Sequence, residues 1–259
     1  MREALWAELL KARRSRLPWV TALAFGVATL VCGMFMFILA DPARARAFGL
    51  LGGKAEISGA GADWPGYLAL LAQAAAVGGL GVYGLIVVWL FGREFSDRTA
   101  TDLLALPTSR TAVVAAKFTI GAIWALLLAL LLTGLGLLIG ALLALPGWSA
   151  PGAVQGSGRI MAAAALAALT AAPLALAASV GRGYLAAVGV LFAIVFTSQV
   201  IAALGYGAVF PWSVPGLFAG IAGPGQDPPG LAGLALVAAT GVTGAITTAV
   251  WWNRADHTR

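Results

Sequence analysis

The stretch FTIGAIWALLLALLLTGLGLLIGALLAL, residues 118–145, decides the fold, because it contains no Asp, Glu, Lys or Arg. It opens an uncharged run that extends to Gly158, and five more such runs lie at 17–40, 64–92, 160–181, 183–226 and 228–253. An apolar run of about 20 residues is long enough to cross the hydrocarbon of a bilayer. The six runs hold 186 of the 259 residues, which excludes a soluble domain, a disordered chain and a peripheral protein. The sequence therefore predicts a polytopic membrane protein.

The runs predict one all-α transmembrane domain over residues 1–259. Six spans are expected at 18–40, 64–91, 118–145, 160–180, 184–204 and 231–252. Before them, residues 1–16 place Leu5, Trp6 and Leu9 at helical spacing, with Glu8 and Lys11 towards the other side. This pattern predicts a helix lying in the membrane interface. A plain basic flank that only fixes the orientation of the chain is the simpler alternative.

The segment from Gly205 to Gln226 is uncharged, yet it holds three prolines and six glycines in 22 residues. A helix interrupted that often would leave backbone groups unpaired in lipid. We therefore expect a re-entrant or interfacial hairpin on the outer side, just before the last span. Its aromatic and proline residues are predicted to form an outer gate: Phe210, Pro211, Trp212 and Pro215.

Glycines crowd two of the spans. Gly136 and Gly140 form a GxxxG pair, and small residues let helices approach closely in lipid. The pair fits either a compact bundle or the seam of a dimer.

Charge placement predicts the orientation. With the N-terminus inside, 12 of the 16 basic residues fall on the inner side and four, Arg44, Arg46, Lys54 and Arg159, on the outer side. This asymmetry obeys the positive-inside rule and places both termini in the cytoplasm. Lys and Arg cluster at the ends of apolar runs, so the net charge of +6 does not point to nucleic acid, which would need a basic stripe on a folded surface.

The sequence offers little of the chemistry that an enzyme needs. It has a single cysteine, Cys32, and a single histidine, His257, so neither a disulfide within the chain nor a metal site is expected. No Walker A motif is present, and we predict neither a catalytic residue nor a cofactor bound by this chain. No ionisable side chain lies in the central part of any predicted span, which argues against a carrier or channel driven by gradients. That carrier and an integral membrane enzyme are the alternatives carried forward.

The connector between spans two and three reads GREFSDRTATDLLALPTSR, residues 92–110. Thr99 and Asp102 weakly resemble a helix capping box, and a short helix from Ala100 would end before Pro107. Leu103, Leu104 and Leu106 give this predicted cytoplasmic helix an apolar surface among charges. Such a patch is a candidate docking surface.

The string GREFSDRTATDLLALPTSRTAVVAAK, residues 92–117, resembles the cytoplasmic signature of type-2 ABC transporter permeases. That signature is roughly G-x-E, a small residue with Thr, two apolar residues, P-x-S-R and then Lys. The amphipathic N-terminal segment, the six spans and the FPWSVP segment at 210–215 resemble the family as well. One departure is visible, because Asp97-Arg98 precede Thr99 where family members often have a glycine.

The resemblance implies a non-catalytic permease subunit of an exporter in the inner (plasma) membrane. The connector would be a coupling helix seated on a separate ABC ATP-binding subunit, which would carry ATP and Mg²⁺. A second permease chain, identical or different, and a drug, antimicrobial peptide, lipid or glycan substrate are implied too, as in multidrug or peptide resistance. The residues assigned to the ATPase-coupling interface are Glu94, Asp97, Arg98, Thr99, Asp102, Leu103, Leu104, Leu106, Pro107 and Arg110.

Overall fold

The computed structural model describes residues 1–41, 61–99, 108–221 and 229–254. Every regular element within these ranges is a helix. The elements are α1 (Arg2–Arg14), α2 (Leu17–Ala40), α3 (Trp64–Ser96), α4 (Arg110–Leu142), α5 (Ala150–Ala171), α6 (Leu174–Val180), α7 (Tyr184–Ala203), a 3₁₀ turn (Gly207–Val209), α8 (Val214–Phe218) and α9 (Leu231–Arg254).

Six helices are long and apolar enough to cross a membrane: α2, α3, α4, α5 continued by α6, α7 and α9. The predicted all-α architecture with six candidate spans is confirmed. The predicted helix at 100–106 and residues 222–226 of the 205–226 segment lie outside the described residues.

Three helices extend well beyond the predicted spans. α3 continues to Ser96, and α4 begins at Arg110, eight residues before the predicted start of its span. α5 begins at Ala150, ten residues before the predicted start at 160, where Ser149 caps its first turn. The start of α4 is set by the Ser109 side chain, which accepts a hydrogen bond from the backbone N–H of Ala112 and so caps the first turn. As a result Glu94 and Lys117, which the sequence placed on the connector, lie inside helices.

The fourth candidate span is bent at Pro173, as the sequence predicted. α5 ends at Ala171 and α6 begins at Leu174, because proline has no backbone N–H to continue the helical ladder. α9 crosses this bend at Gly244, where a Cβ atom would lie 2.7 Å from the backbone nitrogen of Pro173. The missing side chain therefore lets the two backbones touch.

α3 forms the centre of the bundle and contacts α2 and all helices from α4 to α8. The outward faces of α2 and α7 are apolar and exposed, with Trp19, Leu23, Leu185 and Phe196 among the most exposed side chains. Helices that are apolar on an uncovered face suit contact with lipid or with another membrane helix.

Gly136 and Gly140 pack within the chain. Their missing side chains make room for Leu71 and Trp64 of α3, and a Cβ on Gly140 would lie 2.5 Å from the Trp64 ring. Of the two interpretations left open by the sequence, the compact bundle is the one observed. At Gly134, on the same helix, such a Cβ would have no atom within 4 Å apart from its own neighbouring turns of helix.

This contrast generates a stability prediction. Gly140→Ala should lower the free energy of unfolding by about 1–3 kcal/mol, because the added methyl overpacks the Trp64 contact. Gly134→Ala is the matched control and should leave stability unchanged or raise it by about 0.5–1 kcal/mol, since Ala is the better helix former. Thermal unfolding midpoints in detergent measure both. Equal shifts for the two variants would contradict the packing argument.

Candidate functional site

Four charged side chains meet where α1 packs against α3 and α4. Glu8 and Lys11 come from α1, Glu94 from the last turns of α3, and Lys117 from the second turn of α4. We call these four residues the Lys117 cluster. Each ion pair across it spans 2.6–3.1 Å.

Lys117 is fully buried, with a relative exposure of 0%. Its ammonium group donates to Glu8 Oε2 at 3.1 Å, to Glu94 Oε1 at 2.9 Å and to the backbone carbonyl of Leu90 at 2.8 Å. An ammonium has three N–H donors, and all three are therefore used. Desolvating such a charge costs several kcal/mol unless it is fully paired, which explains why the cluster supplies two carboxylates.

Lys11 closes the cluster on its half-exposed side. It donates to Glu8 Oε1 at 2.9 Å and to Glu94 Oε1 at 2.6 Å. Burial alone would lower the pKa of Lys11, but the two carboxylates outweigh it and the pKa is raised above its ordinary value. Lys11 consequently stays protonated at neutral pH, and two positive charges balance two negative ones.

The second oxygen of Glu94 ties the cluster to the connector. Thr99 Oγ1 donates to Glu94 Oε2 at 2.8 Å, and the Thr99 backbone N–H donates to the Glu94 carbonyl at 2.9 Å. The Arg98 N–H donates to the Phe95 carbonyl, so α3 ends in a Schellman motif. Thr99 thereby leads directly from the buried charges into the 100–107 segment.

Arg98 occupies the left-handed position of this motif, with φ of 58°. A non-glycine residue there costs roughly 1–2 kcal/mol, whereas glycine adopts the conformation freely. This is the position at which the sequence departs from the glycine that often precedes the threonine in the resembled signature. The departure changes the residue but leaves the helix end intact.

Gly92, which opens the connector string, has a packing role. A Cβ there would lie 3.1 Å from the backbone of Gly183, in the turn between α6 and α7. Gly183 itself lies close to Ser96, since its own Cβ would be 3.2 Å from Ser96 Oγ. The last turns of α3 are thus held between this turn on one side and the Lys117 cluster on another.

The face of α1 that carries Glu8 packs into the bundle. The sequence placed Glu8 and Lys11 on the side of α1 opposite to Leu5, Trp6 and Leu9, but it did not predict that Glu8 would be buried. Ala4, Glu8 and Ala12 are buried, and Trp6 is 63% exposed. The reason is that Glu8 finds two lysines inside the bundle, while an exposed tryptophan is favourable where the surroundings are lipid rather than water.

The other described residues of the predicted coupling interface lie at the same end of the bundle. Asp97 pairs with Arg93, one turn earlier, at 3.0 Å on the surface. Arg110 donates to the carbonyls of Trp252 and Asn253 at the end of α9. The predicted residues Asp102, Leu103, Leu104, Leu106 and Pro107 lie outside the described residues.

The four residues predicted to form the outer gate lie at the end of the bundle opposite to the Lys117 cluster. Trp212 donates its indole N–H to the carbonyl of Thr170 at 2.8 Å, and Phe210 lies against the Trp212 ring with centroids 5.2 Å apart. Pro215 is buried in the first turn of α8, after Pro211 has turned the chain.

Hydrogen bonds to three neighbouring helices anchor this segment. Arg159 of α5 donates to the Phe218 carbonyl at 3.1 Å, and Gln73 of α3 donates to the Gly220 carbonyl at 3.3 Å. Ser213 Oγ donates to the Ser198 carbonyl of α7 at 2.8 Å. These bonds satisfy backbone groups that would otherwise be unpaired in an apolar environment.

A cavity of about 570 Å³ lies between α3, α4, α5 and α9. Its walls are almost entirely apolar, and Lys117 borders it at the α1 end. Leu126 and Val242 border it where the helices face outward, and each side chain is at least half exposed. The cavity can therefore hold an apolar group that reaches it from the side of the bundle.

The described residues bring no three His, Cys, Asp or Glu side chains together as a metal site would require. The Lys117 cluster combines two carboxylates with two ammonium groups, whose donors already occupy the carboxylate oxygens. Sequence reasoning identified Glu94 and Thr99 but not Glu8, Lys11 or Lys117. The available signal was the position of Lys117, a charged residue that directly adjoins the long apolar run at 118–145.

The cluster generates a prediction of non-additive stability. Lys117→Met should destabilise the protein by about 3–5 kcal/mol, because it leaves Glu8 and Glu94 buried with one cation between them. Adding Glu8→Gln restores the charge balance, so the double variant should lose less than the sum of the two single variants, with a coupling of about 0.5–3 kcal/mol. Unfolding in detergent gives all three values.

The exposed Arg93–Asp97 pair provides the control. Asp97→Asn removes a surface ion pair and should cost less than about 1 kcal/mol. Strict additivity of Glu8→Gln and Lys117→Met would show that the two side chains do not act as one cluster.

Comparison with known proteins places these features in a family. The family described as ABC-2 family transporter protein matches residues 4–198, which include the Lys117 cluster and the whole connector. The bacitracin transport permease protein BCRB of Bacillus licheniformis is 29% identical over 178 residues, covering 69% of this chain and 85% of that protein. No solved structure matches. With six candidate spans and this match over most of its length, the chain belongs to the ABC-2 transporter family, as a multi-pass permease.

Proposed function

We propose that this permease is the membrane subunit of an exporter powered by ATP hydrolysis in a separate ABC ATP-binding subunit. The observation that carries the proposal is the hydrogen bond from Thr99 to Glu94, which joins the start of the connector to the Lys117 cluster. ATP and Mg²⁺ belong to the partner subunit in this scheme, and the permease contributes the path through the membrane.

The connector is suited to pass on a displacement because both of its ends are anchored. At its start Thr99 is bonded to Glu94 of α3. At its end Arg110 is bonded to the last carbonyls of α9. A push on residues 100–107 would therefore reach α3, α4 and α9 together, and through the cluster it would reach α1.

Docking on the ATPase is assigned to the predicted 100–106 helix. Leu103, Leu104 and Leu106 supply apolar surface, and burying one such side chain contributes about 1.5–3 kcal/mol. Asp97 and Arg98, both exposed at the end of α3, can orient the contact against a charged groove.

The orientation follows from the charge pattern. The α1 end holds Arg13, Arg14, Arg93, Arg98 and Arg182 among its basic residues. Under the positive-inside rule this end faces the cytoplasm, with both termini there and the protein in the plasma membrane. The segment at 205–221 then lies on the outer side, where it acts as a gate.

The substrate proposed is amphiphilic or hydrophobic, such as a drug, peptide, lipid or glycan. Two observations support this class. The cavity between α3, α4, α5 and α9 is apolar, and the relative from Bacillus licheniformis is a bacitracin transport permease by name. A second permease chain, identical or different, completes the exporter, and the uncovered apolar faces of α2 and α7 are available to it or to lipid.

The alternative of a gradient-driven carrier is weakened by the state of the buried charges. Such carriers depend on ionisable groups within the membrane that load and release a proton or ion. Glu8, Glu94 and Lys117 are buried, but they saturate one another with ion pairs near one end of the bundle.

The docking step predicts that two substitutions at Leu103 have different effects on ATPase binding. Leu103→Asp should abolish co-purification of the ATPase subunit and substrate-stimulated ATP hydrolysis, since it would place an unpaired carboxylate in an apolar contact. Leu103→Met is the matched control and should retain both, because it conserves volume and apolarity. Equal co-purification with the two variants would rule out this segment as the docking element.

The transport path predicts a different phenotype. Ala122→Phe fills part of the apolar cavity and should abolish substrate transport while ATPase association remains normal. Leu127→Phe, on the exposed outer side of the same helix, is the control and should transport normally. The pair is compared in vesicles that contain permease and ATPase. Unchanged transport by Ala122→Phe would remove the cavity from the path.

A further inference from the structure

A second, polar groove opens at the α1 end, between α1, the end of α3 and the start of α7. It has a volume of about 620 Å³. The residues that give it its chemistry are Lys11, Arg14, Trp89, Arg93, Asp97 and Tyr184. It lies beside the Lys117 cluster and shares Lys11 with it.

The groove has positive charge available to an anion. Arg14 is exposed and forms no ion pair within the described part of the chain. Arg93 gives its Nε to Asp97 at 3.0 Å, and its guanidinium lies 5.2 Å from the centre of the Trp89 ring. A guanidinium carries five N–H donors in a planar fork, so the bond to Asp97 uses only one of the five.

The charged side chains that line the groove do not cancel one another. Lys11 is compensated inside the Lys117 cluster, where two lysines meet two carboxylates. Arg93 is compensated by Asp97. Arg14 is then left as one positive charge in excess, which matches the single negative charge of a phosphodiester.

The surroundings of the groove are those of a membrane surface. Trp89 and Tyr184 are partly buried side chains with an apolar body and a polar tip, the types that gather at the level of lipid headgroups. On neighbouring α1 and α2, Trp6 is 63% exposed and Trp19 is 80% exposed. An anion held here would therefore have apolar side chains next to it rather than a fully aqueous surface.

We propose that this groove binds the phosphate headgroup of an anionic phospholipid, with Arg14 and Arg93 as its ligands and the acyl chains lying along the exposed apolar surface of α1 and α2. The bound lipid bridges α1 and α3. It thereby supports from outside the same contact that the Lys117 cluster holds from inside. The site is separate from the substrate cavity and from residues 100–107, although it includes Arg93 and Asp97 at the start of the connector. It holds whether or not the chain is an exporter.

The test measures lipid binding by the purified full-length chain. Native mass spectrometry after titration with phosphatidylglycerol or phosphatidylcholine should show tighter binding of the anionic lipid. Arg14→Gln and Arg93→Gln should each weaken phosphatidylglycerol binding roughly fivefold, the usual contribution of one basic residue near an anionic lipid. Arg93→Lys should weaken it less, because the charge is retained.

Arg13→Gln is the matched control. Arg13 is exposed beside Arg14 on α1 but does not border the groove, so this variant should bind phosphatidylglycerol like the parent chain. Glycerol phosphate added as a soluble competitor separates the two sources of the anion, and it should displace the lipid only at far higher concentration.

Three results would overturn the proposal. They are equal affinity for the two lipids, an equal loss in Arg13→Gln and Arg14→Gln, or glycerol phosphate binding as tightly as the lipid. The last would identify a site for a free phosphate compound instead. Because Arg14 is exposed and makes no ion pair among the described residues, Arg14→Gln keeps the fold and makes the test decisive even if the Arg93 variants unfold.

Discussion

The buried ammonium of Lys117 sets the conditions for the whole α1 end of the bundle. It can exist without water only because Glu8, Glu94 and the carbonyl of Leu90 take its three N–H groups. Those acceptors come from two other helices, so α1, α3 and α4 have to hold one register relative to one another. Apolar helix faces in lipid are held together mainly by van der Waals packing, whereas displacing one carboxylate here would leave a buried charge without its partner. We infer that the cluster, rather than apolar packing, defines this contact.

Much of the fold could be predicted because it depends on composition within short stretches. The length of an uncharged run predicts a membrane helix, and the bend at Pro173 follows from the missing N–H of one residue. The position of Glu8 could not be predicted in that way. Its partner Lys117 is 109 residues away in the chain. Local periodicity had only one option for a carboxylate on an amphipathic helix, which was to place it in solvent.

The connector shows the same division between local and distant causes. The residues of the signature that the structure describes have physical roles: Gly92 admits the Gly183 backbone, Glu94 receives two lysines, and Thr99 binds Glu94. The resemblance had assigned Glu94 and Thr99 to contact with an ATPase. Within the chain, their contacts also attach the connector to the Lys117 cluster. The docking role of Leu103, Leu104 and Leu106 stays a prediction.

The inward-facing charges of α1 also constrain the order of assembly. α1 is synthesised before α3 and α4, and the groups that neutralise Glu8 and Lys11 follow 109 and 83 residues later. Until α3 and α4 are inserted, those two charges have only each other. α1 can therefore take its observed position only once α3 and α4 are in place.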